Sequence, residues 1–328
     1  MITIAIKGKV VFITGGGGFI GSSIAEKLAK DNEVILFDKE FERNCISYTG
    51  LTKKKNVKLI EGDVLDISSI RKSVAGVQYV VHAAAVVGVQ RVMKNSKRTI
   101  DTNFSGTSNM LNAVSGLKSL KRFIYLSTSE VFGVNAYQVN EDAPTVFGPN
   151  KEPRWSYSIA KIAGEHLVQS YNREDGMPTV IIRPFNIFGP RRLGEHVVKT
   201  FILQALKNEP ITVNNNGSQI RSWCFIDDFT GAVLNGLEKK AAIGEAFNIG
   251  NPKNTISVYQ LALKIKELCK SSSEVRTIPI SFPDVELRVP GISLAEKLLG
   301  YSPKYEMDEA IGITRDWYKK YLSPGTCR

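Results

Sequence analysis

Tyr157 and Lys161 stand four apart in a stretch, Arg154 to Asn172, that the pattern predicts as a helix, so both side chains project from one face. A free phenol has a pKa near ~10 and is a poor base at neutral pH. A cationic neighbour favours the phenolate, and such a pair could take a proton from an alcohol. The same spacing is also common surface decoration. Upstream, a short apolar run, Phe123 to Leu126, is followed by Ser127, Thr128, Ser129 and Glu130. Hydroxyl and carboxyl groups at the C-terminal end of a parallel strand sit where ligands bind in open sheets. Thr128 could hydrogen-bond a reacting oxygen, and Ser129 and Glu130 could serve a second proton transfer; the bland alternative is a polar turn in which hydroxyls cap backbone groups.

These groups need a scaffold, and the N-terminal segment supplies one. Val10 to Gly21 reads VVFITGGGGFIG: an apolar β-branched run, a glycine turn, then an amphipathic segment from Ile20 to Lys30. Strand, turn and helix in that order present a helix N-terminus to a pyrophosphate. Gly15 permits the tight turn, Gly18 lets backbone approach a phosphate, and Gly21 lets helix pack on strand. A second run, Val34 to Phe37, ends in Asp38, where an acid meets ribose hydroxyls and repels a 2′-phosphate. That favours NAD over NADP, with Lys39 and Arg43 leaving the choice open. A bound nicotinamide, itself cationic, would also favour the Tyr157 phenolate.

Runs at Val57–Ile60, Tyr79–His82 and Thr179–Ile182 complete six predicted strands, separated by predicted helices at Ile67–Val74, Val89–Val114 and Arg154–Asn172. Strands separated by helices of this length imply right-handed crossovers and a doubly wound parallel α/β sheet of Rossmann type. From Pro184 turn signals multiply, and helical segments are expected at Val197–Lys207, Asp227–Lys239, Ser257–Cys269, Ser293–Leu299 and Asp308–Tyr321. The expected division is a dinucleotide domain over 1–183 and a smaller α/β substrate lobe over 184–328, with the substrate cleft between them. Ser323 to Arg328 reads as a frayed tail.

The 328 residues are 43% hydrophobic and 23% charged, which suits a soluble globular protein. No run approaches the ~18 apolar residues of a membrane span. The N-terminus enters the first strand without a signal-peptide cleavage pattern, and four cysteines, at 45, 224, 269 and 327, share no metal-ligand spacing. A cytoplasmic protein with reduced thiols, no metal and no membrane association is expected. The formal charge of +11 reads as a lysine-rich surface around a site for anionic phosphates. The tight run Lys53–Lys55 carries no interleaved aromatic, so nucleic acid is not the expected partner.

The motifs TGGGGFIG, GDVLD, HAAA, TNFSGT, LSTSEVFG, YSIAK, RPFNIFGP, GSQIRSWCFIDD and LRVPGISLAEKLLGY together span nearly the whole chain. In them the sequence resembles an extended short-chain dehydrogenase/reductase of the nucleotide-sugar epimerase, dehydratase and decarboxylase group. The resemblance implies NAD as cofactor and a nucleotide-diphosphate sugar as substrate. It makes Tyr157 the base, supported by Lys161, with Thr128 on the same hydroxyl. It places Gly15, Gly18, Phe19, Ile20, Gly21, Asp38, Asp63, Val64, Ala83, Ala84, Ala85 and Asn103 around the cofactor. Asn186, Arg191, Arg221 and Arg288 match positions that hold the substrate's diphosphate or sugar, for which arginine forks suit phosphate oxygens. A surface ion pair is the alternative for each arginine. A homodimer pairing through the helices of 90–114 and 154–172 is the family's usual assembly.

Members share a first step, oxidation of a sugar hydroxyl, usually at C4, to a 4-keto sugar, and diverge afterwards. Thr128, Ser129 and Glu130 resemble decarboxylases and some dehydratases, and GPNKEPRWSYSIAK resembles bacterial UDP-glucuronate decarboxylases, whose catalytic arginine Arg221 matches. The loop AAAVVGVQRVMKNSKRT departs from them: Val92 stands where decarboxylases carry a tyrosine, and Arg91 could meet an anion or face solvent. The expectation is therefore C4 oxidation with a dehydrogenase or epimerase outcome. Decarboxylation or 4,6-dehydration are the alternatives, and a non-catalytic dinucleotide-binding regulator is a distant one.

Overall fold

The computed structural model describes residues 6–42 and 44–321. Arg43, Cys327 and the expected tail from Ser323 to Arg328 lie outside the described residues. Strands β1 (Val10–Thr14), β2 (Glu33–Asp38), β3 (Val57–Glu61), β4 (Tyr79–His82) and β5 (Arg122–Leu126) follow one another with helices between them. Helix α1 (Phe19–Leu28) connects β1 to β2, and α2 (Ile67–Ser73) precedes β4. Helices α3 (Val89–Lys94), α4 (Ser96–Ile100) and α5 (Gly106–Val114) precede β5. Then come β6 (Asn135–Val139), α6 (Ser156–Asp175) and β7 (Thr179–Pro184).

The main sheet is parallel and seven-stranded, in the order Ala246–Ile249, β7, β5, β4, β1, β2, β3. Its central strands are buried on both faces. Val11 and Ile13 of β1, with Ile124 and Leu126 of β5, enter the core that α1 and the helix Ile226–Glu238 cover. Phe12, Phe123 and Tyr125 point the other way, into the core against α2, α5 and α6. Each large apolar side chain so buried stabilises the fold by about 1.5–3 kcal/mol before the entropy of ordering it is counted. The order reverses between β1 and β4, because the chain runs outward through β2 and β3 and then returns. The C-terminal ends of β1, β2 and β4 therefore border a crevice, where open sheets bind ligands.

The boundary expected at 183/184 is crossed in both directions. Ala246–Ile249 joins the main sheet beside β7, a seventh strand that the sequence reading did not separate from the turn-rich C-terminal part. Conversely β6 leaves the N-terminal part for a four-stranded sheet ordered Thr255–Ser257, Ile220–Ser222, Leu287–Pro290, β6.

Two helical expectations also change. The single helix expected over Val89–Val114 breaks at Asn95, whose backbone leaves helical space (φ −138°, ψ 47°). Its amide side chain turns back to the Arg91 carbonyl, the competition with backbone that makes asparagine a poor interior helix residue. A wider π-type turn at Asp101–Ser105 then leads into α5. The helix expected from Arg154 begins instead at Ser156, after a single tight turn Pro153–Trp155. That turn aims Arg154 at the end of β5. Among the described residues no helix is long and apolar enough to cross a membrane.

Candidate active site

The crevice at the sheet reversal is a cavity of about 640 Å³ lined by residues of the β1–α1 turn, Asp38, Val64, Ala83 to Val87 and Arg192. Gly15 holds φ +67°, and a Cβ there would lie 2.8 Å from the Ala83 and Ala84 backbone. A Cβ on Gly21 would run into the Gly15 carbonyl, so these two glycines allow turn, helix and β4 loop to close on one another. Gly18, Phe19 and Ile20 open the N-terminus of α1 to the cavity. Asp38 Oδ2 accepts from Gly17 N–H at 2.9 Å and Oδ1 from Lys39 N–H at 2.8 Å. Burial raises its pKa, against the pull of those amides. The Glu40 amide also acts on this carboxylate, which still keeps acceptor capacity for a ribose hydroxyl. Lys39 is engaged: its Nζ lies 2.6 Å from Asp63 and, against partial burial, holds that carboxyl below its usual value. The glycine cradle, the carboxylate and the apolar wall of Val64 and Ala83–Ala85 fit a dinucleotide. Asn103 is fully buried and works from behind the wall: its amide accepts from Val86 N–H at 2.8 Å and donates to Val86 C=O at 3.1 Å.

Thr128 and the N-terminus of α6 bring the chemistry-bearing groups together. Thr128 caps the short turn after β5, accepting from Glu130 N–H at 3.1 Å, and its hydroxyl also engages the Tyr157 phenol. Among the described residues no hydrogen bond joins the phenol to the Lys161 ammonium. Burial pushes the phenol up to about 12, helped by the Glu130 charge and opposed by Thr128, Arg192 and Arg154. Lys161 donates from Nζ to Leu126 C=O at 2.7 Å and stands 4.7 Å over the Tyr125 ring. Burial brings its own pKa down to about 7, with Glu165 pulling the other way.

Glu130 is held as an anion. Arg154 Nη1 lies 2.9 Å from Oε2 and Arg288 Nη2 3.7 Å from Oε1. Against its burial, the charges of Arg288, Arg154 and Arg221 lower the carboxyl to about 2. In the second proton transfer expected of it, an ionised Glu130 would enter as the acceptor at neutral pH. Arg288 is 2% exposed and donates to the carbonyls of Ser129 and, at 3.0 Å, Gly133, so it builds the Glu130 turn. Arg221 donates to the carbonyls of Ile220 and Val285 and pairs with Asp284 at 3.4 Å; burial lowers it to about 10, still charged at neutral pH. Asn186 has φ +44° and donates to Ser222 C=O at 2.9 Å, joining the β7 end to the second sheet.

Arg191, expected to hold the substrate, is turned toward α1. It pairs with Glu26 and reaches Ser23 on α1, and it does not line the dinucleotide cavity. Its neighbour Arg192 does, with its guanidinium 5.3 Å from the Phe19 ring and its charge acting on Tyr157. Arg192 and Arg154 are the residues that sequence reasoning missed. The pair Arg191-Arg192 was itself the signal, but φ +70° at Arg191 decides which of the two faces inward.

Fold and site define an NAD-dependent enzyme on a Rossmann-type sheet. The model of the NAD dependent epimerase/dehydratase family matches residues 11–250, and the chain belongs to that family. It is 33% identical over 322 residues, 95% of this chain and 98% of the relative, to UDP-N-acetyl-alpha-D-glucosaminuronate decarboxylase of Bacillus cytotoxicus. It is 32% identical over 321 residues, covering 96% and 73%, to UDP-glucuronic acid decarboxylase 1 of Danio rerio. Among solved structures, UDP-glucuronic acid 4-epimerase from Bacillus cereus, in complex with UDP-glucuronic acid and NAD, superposes with a TM-score of 0.86 at 27% identity, covering 95% of this chain and 99% of that one.

Proposed function

We propose that this enzyme oxidises C4 of a nucleotide-linked hexuronate and lets the C6 carboxylate leave as carbon dioxide. The carrying observation is the cluster at Glu130: three guanidinium groups, of Arg154, Arg221 and Arg288, face two carboxylates, of Glu130 and Asp284. A substrate carboxylate balances that excess, and a neutral hexose does not. The three relatives named above all carry a uronic acid in their names.

NAD, bound against the glycine turn, supplies the acceptor for the C4 hydride. Tyr157 takes the C4 hydroxyl proton, with Thr128 on the same oxygen. The resulting ketone lies β to the carboxylate, so the C5–C6 bond can break with its electrons passing onto the C4 oxygen. Tyr157 and Thr128 then donate hydrogen bonds to that enolate oxygen, and a proton taken from solvent at C5 completes a 4-keto pentose, the hydride staying on the nicotinamide or returning to C4. Dehydration is disfavoured, because expelling a hydroxyl calls for an acid and the turn offers only the Ser129 hydroxyl and an ionised Glu130. A 4-epimerase or 4-dehydrogenase acting on the same uronate is the second reading. Val92 favours it, being buried in α3 at the position where decarboxylases carry a tyrosine.

Mass spectrometry of products from UDP-glucuronate and its N-acetylated analogue tests the proposal. Loss of carbon dioxide supports it. Unchanged mass with an inverted C4, seen by NMR, overturns it in favour of epimerisation, and two hydrogens lost favours the dehydrogenase. Pairing of two copies along α5 and α6, where Ile159 stays exposed, belongs to the same proposal and is read by sedimentation.

A further inference from the structure

Thr14, His82 and Tyr125 occupy one row across three neighbouring strands, β1, β4 and β5, at the ends nearest the crevice. We propose that His82, fixed as the neutral Nε2–H tautomer, is a positioning residue that holds the dinucleotide wall through a one-way chain of hydrogen bonds and meets the seat of Lys161 through its ring stacked on Tyr125.

The polarity of the chain follows from counting protons. Thr14 Oγ1 accepts from Ala83 N–H and Ala84 N–H, each at 3.1 Å. A hydroxyl has two lone pairs and one proton, so with both pairs occupied Thr14 must donate that proton. Its partner is His82 Nδ1 at 2.7 Å, which is therefore an acceptor. The ring proton then resides on Nε2, 3.1 Å from Thr107 Oγ1. Thr107 passes its own proton on to Asn103 C=O at 2.7 Å. Asn103 clasps both backbone groups of Val86, so Ala83, Ala84 and Val86, three residues of the cavity wall, hang from this chain. On the sheet side the His82 ring stacks on Tyr125, with centroids 6.1 Å apart and 20° between planes. Tyr125 donates to Lys161 C=O at 3.4 Å and carries the Lys161 ammonium over its face. A charged imidazole has no place here: burial and the nearby Lys161 hold the ring neutral, with its pKa lowered to about 3.

A ring that only filled space would be replaced best by Phe and worst by Asn. The chain requires the reverse. Asn offers an oxygen near the position of Nδ1 and restores an acceptor for Thr14; Gln offers a donor near Nε2 but leaves Thr14 without one. Phe satisfies neither threonine and strands buried polar groups.

The inference rests on the NAD cleft and not on the sugar chemistry proposed above, so the test uses NAD and the protein alone. NAD affinity is measured for His82→Phe, His82→Gln and His82→Asn. His82→Phe is expected to weaken NAD by about tenfold or more, His82→Gln by nearly as much, and His82→Asn least. With 15N-labelled histidine, the His82 resonances, assigned by their loss in His82→Gln, should show a protonated Nε2 and a bare Nδ1 at neutral pH. A protonated Nδ1, an imidazolium, or a folded His82→Phe that binds NAD as the parent does overturns the proposal. Should His82→Phe not fold, the tautomer and the Asn-over-Gln order still decide it.

Discussion

Lys161 and Leu126 are joined by a hydrogen bond of 2.7 Å, from the buried ammonium to the last carbonyl of β5. Among the described residues no hydrogen bond joins that ammonium to Tyr157. The lysine thus clamps the helix bearing the phenol onto the sheet, in surroundings that lower its own pKa to about 7. An unfolded lysine titrates near ~10.4, so between these values the unfolded chain binds a proton that the folded chain does not. Stability therefore rises with pH through that window, and below about pH 7 the full penalty is present. Lys161→Met is expected to melt higher at pH 7, by about 1.5 °C for each kcal/mol relieved, with the gap closing toward pH 10. Activity should fall by about 100-fold or more. Scanning fluorimetry at both pH values checks the first outcome, and a lower melting point at pH 7 contradicts it.

Tyr157→Phe separates binding from chemistry. The protein's own field leaves the phenol protonated, at about 12, so the reaction requires the positive charge of the bound cofactor to draw it down. The variant should bind NAD almost as before, yet reduce it about 10³-fold more slowly on addition of a sugar nucleotide. In the parent, the rate of NAD reduction should rise with pH through neutrality. Absorbance of the reduced nicotinamide reports both. Retention of most turnover by Tyr157→Phe would remove it as the base.

Glu130 has a pKa lowered to about 2, and its contribution runs opposite to that of Lys161. The stability it gives is complete above the unfolded glutamate value of ~4.3 and is lost as pH falls toward 2. Glu130→Gln should melt lower at neutral pH and lose part of the parent's acid dependence below pH ~4. In the reaction it should still permit NAD reduction while slowing release of carbon dioxide about tenfold or more, since Arg154 and Arg288 lose the anion that orders them. Equal loss of both steps would place Glu130 in the oxidation instead.

The parts of the site that were legible in the sequence are those fixed by local spacing. A glycine turn between an apolar run and an amphipathic one dictates a backbone shape, and Asp38 follows at the end of the next strand, so the cleft could be read directly. Tyr157 and Lys161 share a helix and needed only its period. The Glu130 cluster has no such signature: Arg154 arrives from a turn, Arg221 and Arg288 from strands of a second sheet, and only tertiary packing brings them to one carboxylate. The strand Ala246–Ile249 has its apolar run broken by Asn248, so unlike the equally short Tyr79–His82 it does not stand out from the turns around it.

Arg221 gives the substrate prediction its sharpest form. It is charged, largely buried, and paired with Asp284 at 3.4 Å, beside a Glu130 already held by two other arginines. Arg221→Met should raise KM for a nucleotide-linked uronate by about tenfold or more, the cost of a lost charged hydrogen bond. The neutral hexose counterpart, tested as a competitive binder, should be unaffected within error. Equal weakening of both ligands would put Arg221 on the diphosphate and leave the sugar carboxylate unassigned.

Asp38 and Lys39 together decide the cofactor. With Lys39 held by Asp63 at 2.6 Å, the carboxylate of Asp38 is the charge that a ribose would meet. Asp38→Asn keeps a hydrogen-bonding oxygen but removes the repulsion, so it should weaken NAD about tenfold while improving NADP relative to NAD. Affinity for the sugar nucleotide should not change. Lys39→Ala should leave the NAD-over-NADP preference where it was, because its ammonium is directed at Asp63. Titration of both dinucleotides against each variant measures this, and a preference that collapses in Lys39→Ala but survives in Asp38→Asn would reverse the assignment of the two residues.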